Sequence, residues 1–245
     1  MIEIKNRFHT QRLFADKLPL SDLWKAVYYA GYRGDRSSIP FYYKIINGET
    51  AITDLRQTPE ELLSRMKSNT RNEIRRAERE GIEFSKNVSY EEFVPLYNEF
   101  SLLKGLNDKC SIERLAKYNK TIITKASYNG QTLAMHANVI NKESKFAFLL
   151  FSCSPRLDDS VDKKMIGWGN RFLHFKELEY FKLEGIETYD WSGVCTDEND
   201  ERYSISSFKL SFGGEVRESL VIESPLYVFL SFLRDLYWKG KKLFQ

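Results

Sequence analysis

The sequence predicts a mixed α+β fold, and three observations carry that prediction. Three strands follow one another closely from Thr121 to Ser152, turned by Asn129-Gly130 and by Asn141–Ser144, as an antiparallel meander. Long amphipathic helices accompany it, one opening at Pro59 and another near Lys164. The C-terminal third then reads strand, short helix, strand, helix.

Taken in order, the chain offers a strand at Ile2–Ile4, a helix near Ser21–Ala30 and a strand at Phe41–Ile46. Asn47-Gly48 has the composition of a hairpin turn into a further strand, Thr50–Leu55. One long helix is expected from Pro59 to Glu80. Thr58 is its N-cap, Glu60 and Glu61 suit the positive end of its dipole, and Gly81 stops it. Leu63, Met66, Thr70, Ile74 and Ala77 form its apolar stripe. Beside the stripe, Lys67, Arg71, Arg75 and Arg79 stand at i, i+4 spacing, where like charges repel by ~0.2–0.5 kcal/mol per pair. Such a row is either a solvated cationic face or, with Ser68, Asn69 and Thr70 beside it, a site for phosphate or carboxylate.

Past a strand at Ile82–Phe84 and helices at Tyr90–Leu106 and Ser111–Lys117 comes the meander. Its middle strand turns Leu133, Met135, Ala137 and Val139 to one side, and Ala134, His136, Asn138 and Ile140 to the other. His136 on a central strand reads first as a hydrogen-bonded structural residue. The helix from Lys164 to Glu184 opens Lys164-Met165-Ile166-Gly167-Trp168-Gly169-Asn170. A cation and two glycines at a helix N-terminus favour a pyrophosphate, or else the glycines let the helix pack closely. Then come a strand, Thr188–Trp191, ended by Ser192-Gly193, an acidic loop, Asp197–Glu201, and a short helix capped by Ser204 and stopped by Gly213. Ile205, Phe208 and Phe212 pack one side of that helix and leave Lys209 against an aromatic wall. A strand, Val216–Glu223, leads to a last helix from Pro225, with Leu226, Phe229, Leu230, Leu233 and Leu236 on one stripe and Lys239, Lys241 and Lys242 at its end. It reads as a helix closing the core, with a membrane-surface helix as the alternative.

Bulk properties limit the function. A net charge of +3 over 245 residues does not argue for nucleic acid, and no DNA partner is expected. Cys110, Cys153 and Cys195 are odd in number and far apart, which fits a reducing compartment. His9, His136 and His174 lack metal-ligand spacing, so no metal is expected. With no signal-like apolar region near the start and no run approaching ~20 apolar residues, the expectation is a cytoplasmic protein.

Three segments carry a resemblance: SNTRNEIRRAEREGI (Ser68–Ile82), KMIGWGNRFLHF (Lys164–Phe175), and YDWSGV followed by FKLSFGGE. They resemble the basic helix, the acyl-donor motif Q/R-x-x-G-x-G/A and the closing signature of the FemAB-like group within the GNAT (acyl-CoA N-acyltransferase) fold. That group comprises the peptidoglycan-bridge aminoacyltransferases and their single-domain relatives in surface-polysaccharide clusters. The resemblance implies a central, mostly antiparallel sheet splayed near its middle and flanked by helices. It implies one domain over 1–245, with 1–57 an N-terminal strand and helix extension. It also implies that Gly167, Gly169 and Asn170 lie against the donor's phosphates, with Lys164 in place of the usual Gln or Arg, and that Phe208 and Lys209 stand at the transfer site.

From this follows an expected acyltransferase, moving an acetyl or aminoacyl group to an amine of a cell-envelope glycan precursor, with acyl-CoA as co-substrate. Acyl transfer needs a polarised carbonyl, a deprotonated amine and a stabilised leaving group. Strands splaying at Ser152 and Asp190 would admit the donor, and Lys209 would stabilise the developing negative charge. Asp190 is the candidate base or amine-orienting group, with His136 behind it. Arg71 and Arg75 would hold the phosphate of a nucleotide- or lipid-linked amino sugar, and Trp191 would stack on its ring. Phe208 replaces the tyrosine that protonates the leaving thiolate in many members of the wider fold. The loop before the donor motif carries Asp158, Asp159 and Asp162. Both features leave charged tRNA open as donor. A contact with the inner membrane surface and a non-catalytic polyanion-binding module are the remaining alternatives.

Overall fold

The structure, a computed structural model, describes residues 1–106, 108–118, 120–155 and 162–243, with side chains to 237. Asp158 and Asp159 lie outside the described residues, as do the side chains of Lys239, Lys241 and Lys242. In chain order the strands and helices are β1 (Ile2–Lys5), β2 (Thr10–Leu13), β3 (Val27–Tyr32), β4 (Lys44–Asp54), α1 (Pro59–Arg65), α2 (Ser68–Glu80), β5 (Glu83–Lys86), α3 (Tyr90–Leu103) and α4 (Ile112–Ala116). The chain continues with β6 (Thr121–Tyr128), β7 (Gln131–Asn141), β8 (Phe146–Cys153), α5 (Lys163–Leu183), β9 (Thr188–Val194), α6 (Tyr203–Leu210), β10 (Glu215–Glu223) and α7 (Pro225–Leu243). Residues 50–217 make one compact unit, and residues 1–49 with 218–245 make another.

In the unit of 1–49 and 218–245, β2 pairs antiparallel with β1 and parallel with β3, which pairs antiparallel with β10. The helix expected at Ser21–Ala30 is instead a 3₁₀ turn, Leu20–Trp24, followed by β3. Val27, Tyr28 and Tyr29 are strand-forming types, and Val27 and Tyr29 fill the local core. The expected hairpin at Asn47-Gly48 does not form either. Neither residue takes the positive φ that a tight hairpin turn needs, and β4 runs straight through them.

Within 50–217 the strand order is β4-β9-β8-β7-β6-β5. The meander β6-β7-β8 forms where expected, with β5 added antiparallel at its edge. Strand β8 pairs parallel with β9, the two being joined through α5. Helix α5 packs on β7, and α2 lies against α5. Leu62, Met66, Ile74, Leu178, Phe181, Trp191 and Phe212 fill the core there. The other side chains of β7, Met135 and Ala137, meet Phe93 and Tyr97 of α3.

The expected single helix from Pro59 to Glu80 is broken. Met66 and Lys67 have extended backbone, and the Lys67 N–H donates to the Ser211 carbonyl at 2.9 Å instead of to its own helix. Thr58 caps α1 reciprocally with Glu61, as the sequence indicated.

Gly169 is where α5 meets the sheet. A Cβ there would lie 2.8 Å from both Cβ and Cδ1 of Leu133, so only glycine permits this approach. Gly169→Ala is therefore expected to destabilise the protein by about 1–2 kcal/mol, overpacking outweighing the ~1 kcal/mol helix-propensity gain. Urea unfolding of the purified variant measures it.

Candidate transfer site

The parting of β8 and β9 organises the site. Their parallel pairing runs through Phe146, Ala147 and Phe148 against Thr188, Tyr189 and Asp190, then ends while both strands continue. A bulge between Ala137 and Asn138 in the β7–β8 register bends β8 at the same level. On β9 the cause is Ser192, a non-glycine residue at φ +62°. Its N–H donates to Asp190 Oδ1 at 2.7 Å, and its hydroxyl bonds the Leu149 carbonyl across the gap. The splay comes four residues earlier on β8 than the expected Ser152, and at Asp190 on β9.

Lys209 closes the gap from α6. Its Nζ donates to the Gly193 carbonyl at 2.9 Å, just past the kink. Burial pushes the half-buried ammonium down to about 8, with the Asp190 carboxylate opposing the shift. Asp190 itself is buried and accepts from the Thr50 hydroxyl as well as from Ser192 N–H. Those bonds make it a residue that holds β9 in place, with its charge acting on the Lys209 ammonium.

Beside α6 lies a hollow of about 360 Å³. Lys67, Asn69 and Thr70 line it from the start of α2, Arg171 from α5, and Ser204, Ser207, Phe208 and Ser211 from α6 and its end. Helix α2 begins here with no side-chain cap, so its dipole adds to the charge of Lys67 and Arg171. Arg171 pairs with Glu73 at 2.9 Å, and its guanidinium lies 5.0 Å from the Phe208 ring centre. Gly167 stands one turn before Arg171, with nothing closer than 3.9 Å to an added Cβ. Arg171 thus reaches from the glycine-opened turn of α5 to the immediate neighbour of Lys209. The sequence reading passed over it. Its position, four residues after Gly167 in the donor-motif segment, was the available signal.

Other residues expected at the site are placed elsewhere. Trp191 has no exposed surface: its Nε1 donates to the Thr53 hydroxyl at 2.8 Å and its ring stacks on Phe212, so it does not stack on a sugar. Arg71 bonds the carbonyls of Ser64 and Met66, capping the end of α1, and is taken up by the break in the helix. Arg75 is exposed on the outer face of α2, in an open groove with Asn72, Glu78 and Arg79. Gly169 is buried against Leu133, which rules it out as a phosphate contact. Lys164 is exposed at the start of α5, whose N-terminus is occupied by Asp162: the Lys164 N–H donates to that carboxylate at 2.8 Å.

His136 and Asn170 belong to a buried network beneath the site. His136 Nδ1 lies 3.0 Å from both Glu177 oxygens, and its Nε2 lies 2.8 Å from Asn170 Oδ1. Glu177 also accepts from the Asn138 amide at 2.8 Å and from the Thr124 hydroxyl. Burial would raise the Glu177 pKa, but the charge and hydrogen bond of His136 outweigh it and hold the carboxyl well below its usual range. His174 stacks on His136 with ring centres 4.0 Å apart, and its Nδ1 is 3.2 Å from Glu177 Oε2, off the line of a hydrogen bond. Burial, then the charge of His136, pushes His174 down to about 4. His136, His174 and Glu177 form the group among the described residues nearest to a metal-ligand set. The two rings are inclined by only 27° and stacked, and Glu177 bonds His136 directly, so the three form one buried polar cluster. His174 also touches Phe208 and Phe212, linking this core to α6.

The sequence matches no protein-family model and no curated protein. Solved structures do match. FemX superposes with a TM-score of 0.64 at 12% identity, over 85% of this chain and 74% of FemX. The chain has the FemAB-like GNAT fold. L-PGS from Bacillus licheniformis gives 0.60 at 15% identity, over 96% of this chain and 84% of that one. The C-terminal domain of a putative lysylphosphatidylglycerol synthetase from Agrobacterium fabrum gives 0.56 at 13%, over 84% and 71%. At these identities the likeness is one of fold.

Proposed function

We propose that this FemAB-like protein transfers an acyl or aminoacyl group to an amine of a phosphate-bearing acceptor, a glycan precursor of the cell envelope. The observation that carries this reading is Lys209, held at the parting of β8 and β9 with its pKa lowered to about 8, beside a cationic hollow. The donor carbonyl enters the gap between the strands, and the acceptor amine attacks it. The C–N bond forms, the tetrahedral oxyanion collapses, the bond to the leaving oxygen or sulfur breaks, and the amine's proton passes to the leaving group. The Lys209 ammonium stabilises the negative charge that builds on the way. Lys67, Arg171 and the start of α2 hold the acceptor's phosphate. Asp190 positions β9, and its charge acts on Lys209.

One observation favours an aminoacyl ester, such as charged tRNA, over acyl-CoA as donor. The Asp162 carboxylate already caps α5, where the pyrophosphate of CoA would bind. Repulsion between the two, together with a filled cap, disfavours that anion. The name lysylphosphatidylglycerol synthetase, that of an enzyme making an aminoacylated phospholipid, fits an aminoacyl donor and a phosphate-bearing acceptor.

Thermal shift with charged tRNA, uncharged tRNA, acetyl-CoA, longer acyl-CoAs and UDP-amino sugars tests the reading. Stabilisation by charged tRNA beyond that by uncharged tRNA is expected, with transfer of a radiolabelled aminoacyl group to an amino-sugar acceptor. Equal binding of any polyanion, with a steep salt slope and no transfer, would instead identify a binding module.

A further inference from the structure

The unit of residues 1–49 and 218–245 carries twelve Lys and Arg against eight Asp and Glu, a net +4. Residues 50–217 hold twenty-five against twenty-six, a net −1. The chain's positive balance therefore lies wholly in the smaller unit, which also carries α7. From Phe229 to Tyr237 every residue of α7 is exposed except Ser231, which is half-buried. From Phe229 onward the stripe expected to close the core, continued by Tyr237, faces solvent, while its first member Leu226 is half-buried: Phe229 is 55% exposed and Tyr237 64%. Its members Phe229, Leu230, Leu233, Leu236 and Tyr237 fall on one side of the helix, at i, i+1, i+4, i+7 and i+8. Helix α7 touches the 3₁₀ turn Leu20–Trp24, whose Leu20 and Trp24 are 82% and 81% exposed. Lys17 and Lys25 flank that turn, and Arg234, Lys239, Lys241 and Lys242 lie along the helix sequence.

We infer that α7 and the Leu20–Trp24 turn form a docking surface for an anionic lipid bilayer. An apolar stripe of large side chains with cations along the same helix is the pattern of a helix lying in the membrane interface. Aromatic residues such as Trp24 and Tyr237 suit the boundary between acyl chains and headgroups. No helix among the described residues is long and apolar enough to cross a membrane, so the contact is peripheral. Charge decides between the other occupants: two copies of a +4 unit repel each other, whereas an anionic surface attracts each basic side chain near it.

Vesicle co-sedimentation with the whole chain tests this. Phosphatidylcholine vesicles containing phosphatidylglycerol should bind the protein, pure phosphatidylcholine should bind it weakly, and added salt should release it. Leu233→Asp is expected to lower partitioning roughly tenfold or more. Replacing Lys239, Lys241 and Lys242 together by Gln should lower it about a hundredfold, near fivefold per cation. The melting temperature should not change in either variant, since the Leu233 side chain lies outside the core. Wild-type protein left in the supernatant with anionic vesicles at low salt would overturn the inference. So would a stable dimer in solution that Leu233→Asp dissociates, because the stripe would then belong to a second copy.

Discussion

Replacing Lys209 by methionine is expected to lower turnover by about two to three orders of magnitude and to make the folded protein more stable at neutral pH. The first effect follows from removing the charge aimed at a developing oxyanion, a contribution of this size where such donors have been removed singly. The second follows from the lysine's surroundings. Burial lowers its pKa from 10.5 to about 8, so the folded state binds the proton less tightly than the unfolded chain does. Below about pH 8 the ammonium is carried at a cost of up to ~3 kcal/mol relative to an ordinary lysine. Methionine, unbranched and one heavy atom shorter, loses the bond to the Gly193 carbonyl and escapes most of that cost, for a net gain of roughly 1–2 kcal/mol. As pH rises from about 8 towards 10.5 the folded lysine is already neutral and the unfolded one loses its proton, so the advantage shrinks. Chemical denaturation at neutral and at high pH measures the stability change. The kcat profile reads the same group in the complex: activity carried by the ammonium declines as pH rises through about 8. A methionine variant with full turnover would take Lys209 out of the mechanism.

The sequence showed what local pattern determines. The meander, the Thr58 cap and the glycine stop at Gly213 form as read, whereas the strand expected to end at Ser192-Gly193 runs on through both residues to Val194. Gly213, at φ +79°, packs so closely on the Arg65 carbonyl that a Cβ would sit 2.7 Å away. What escaped the reading depends on distant partners. The break at Met66–Lys67 is made by Ser211, and it diverts Arg71 into capping α1. Trp191 looks like a free aromatic until β4 supplies Thr53 beneath it. Glu177 resembled any acidic helix residue. Its signal was present in the His174-x-x-Glu177 spacing, which puts both side chains on one face of α5, opposite a strand bearing His136 and Asn138. Two buried polar residues on a central strand require a partner, and the facing helix held one carboxylate able to serve both.

That carboxylate carries the second large expectation. Glu177→Ala should destabilise the protein by about 3–5 kcal/mol, because it strands the His136 ring, the Asn138 amide and the Thr124 hydroxyl in a dry core and opens a void. For a chain of this size that is roughly a 10 °C fall in melting temperature. Glu177→Gln keeps the volume and one acceptor, so a smaller loss of about 1.5–3 kcal/mol is expected, reflecting the charged hydrogen bonds alone. A double-mutant cycle with Thr124→Val should show coupling above ~0.5 kcal/mol, since both groups belong to one network. Acid should act on the same core. His174 is neutral when folded and holds its proton only below about 4, against 6.5 for an ordinary histidine. Between those values the unfolded chain gains a proton that the folded one refuses, so stability falls as pH drops through that window. His174→Phe keeps an aromatic ring against Trp191, Phe208 and Phe212 and should flatten that limb of the stability profile. Because the same ring supports Phe208 beside Lys209, Glu177→Gln should also reduce kcat by an amount that the fall in folded fraction does not account for. Unchanged melting behaviour in Glu177→Ala would mean that the network does not hold the floor of the site.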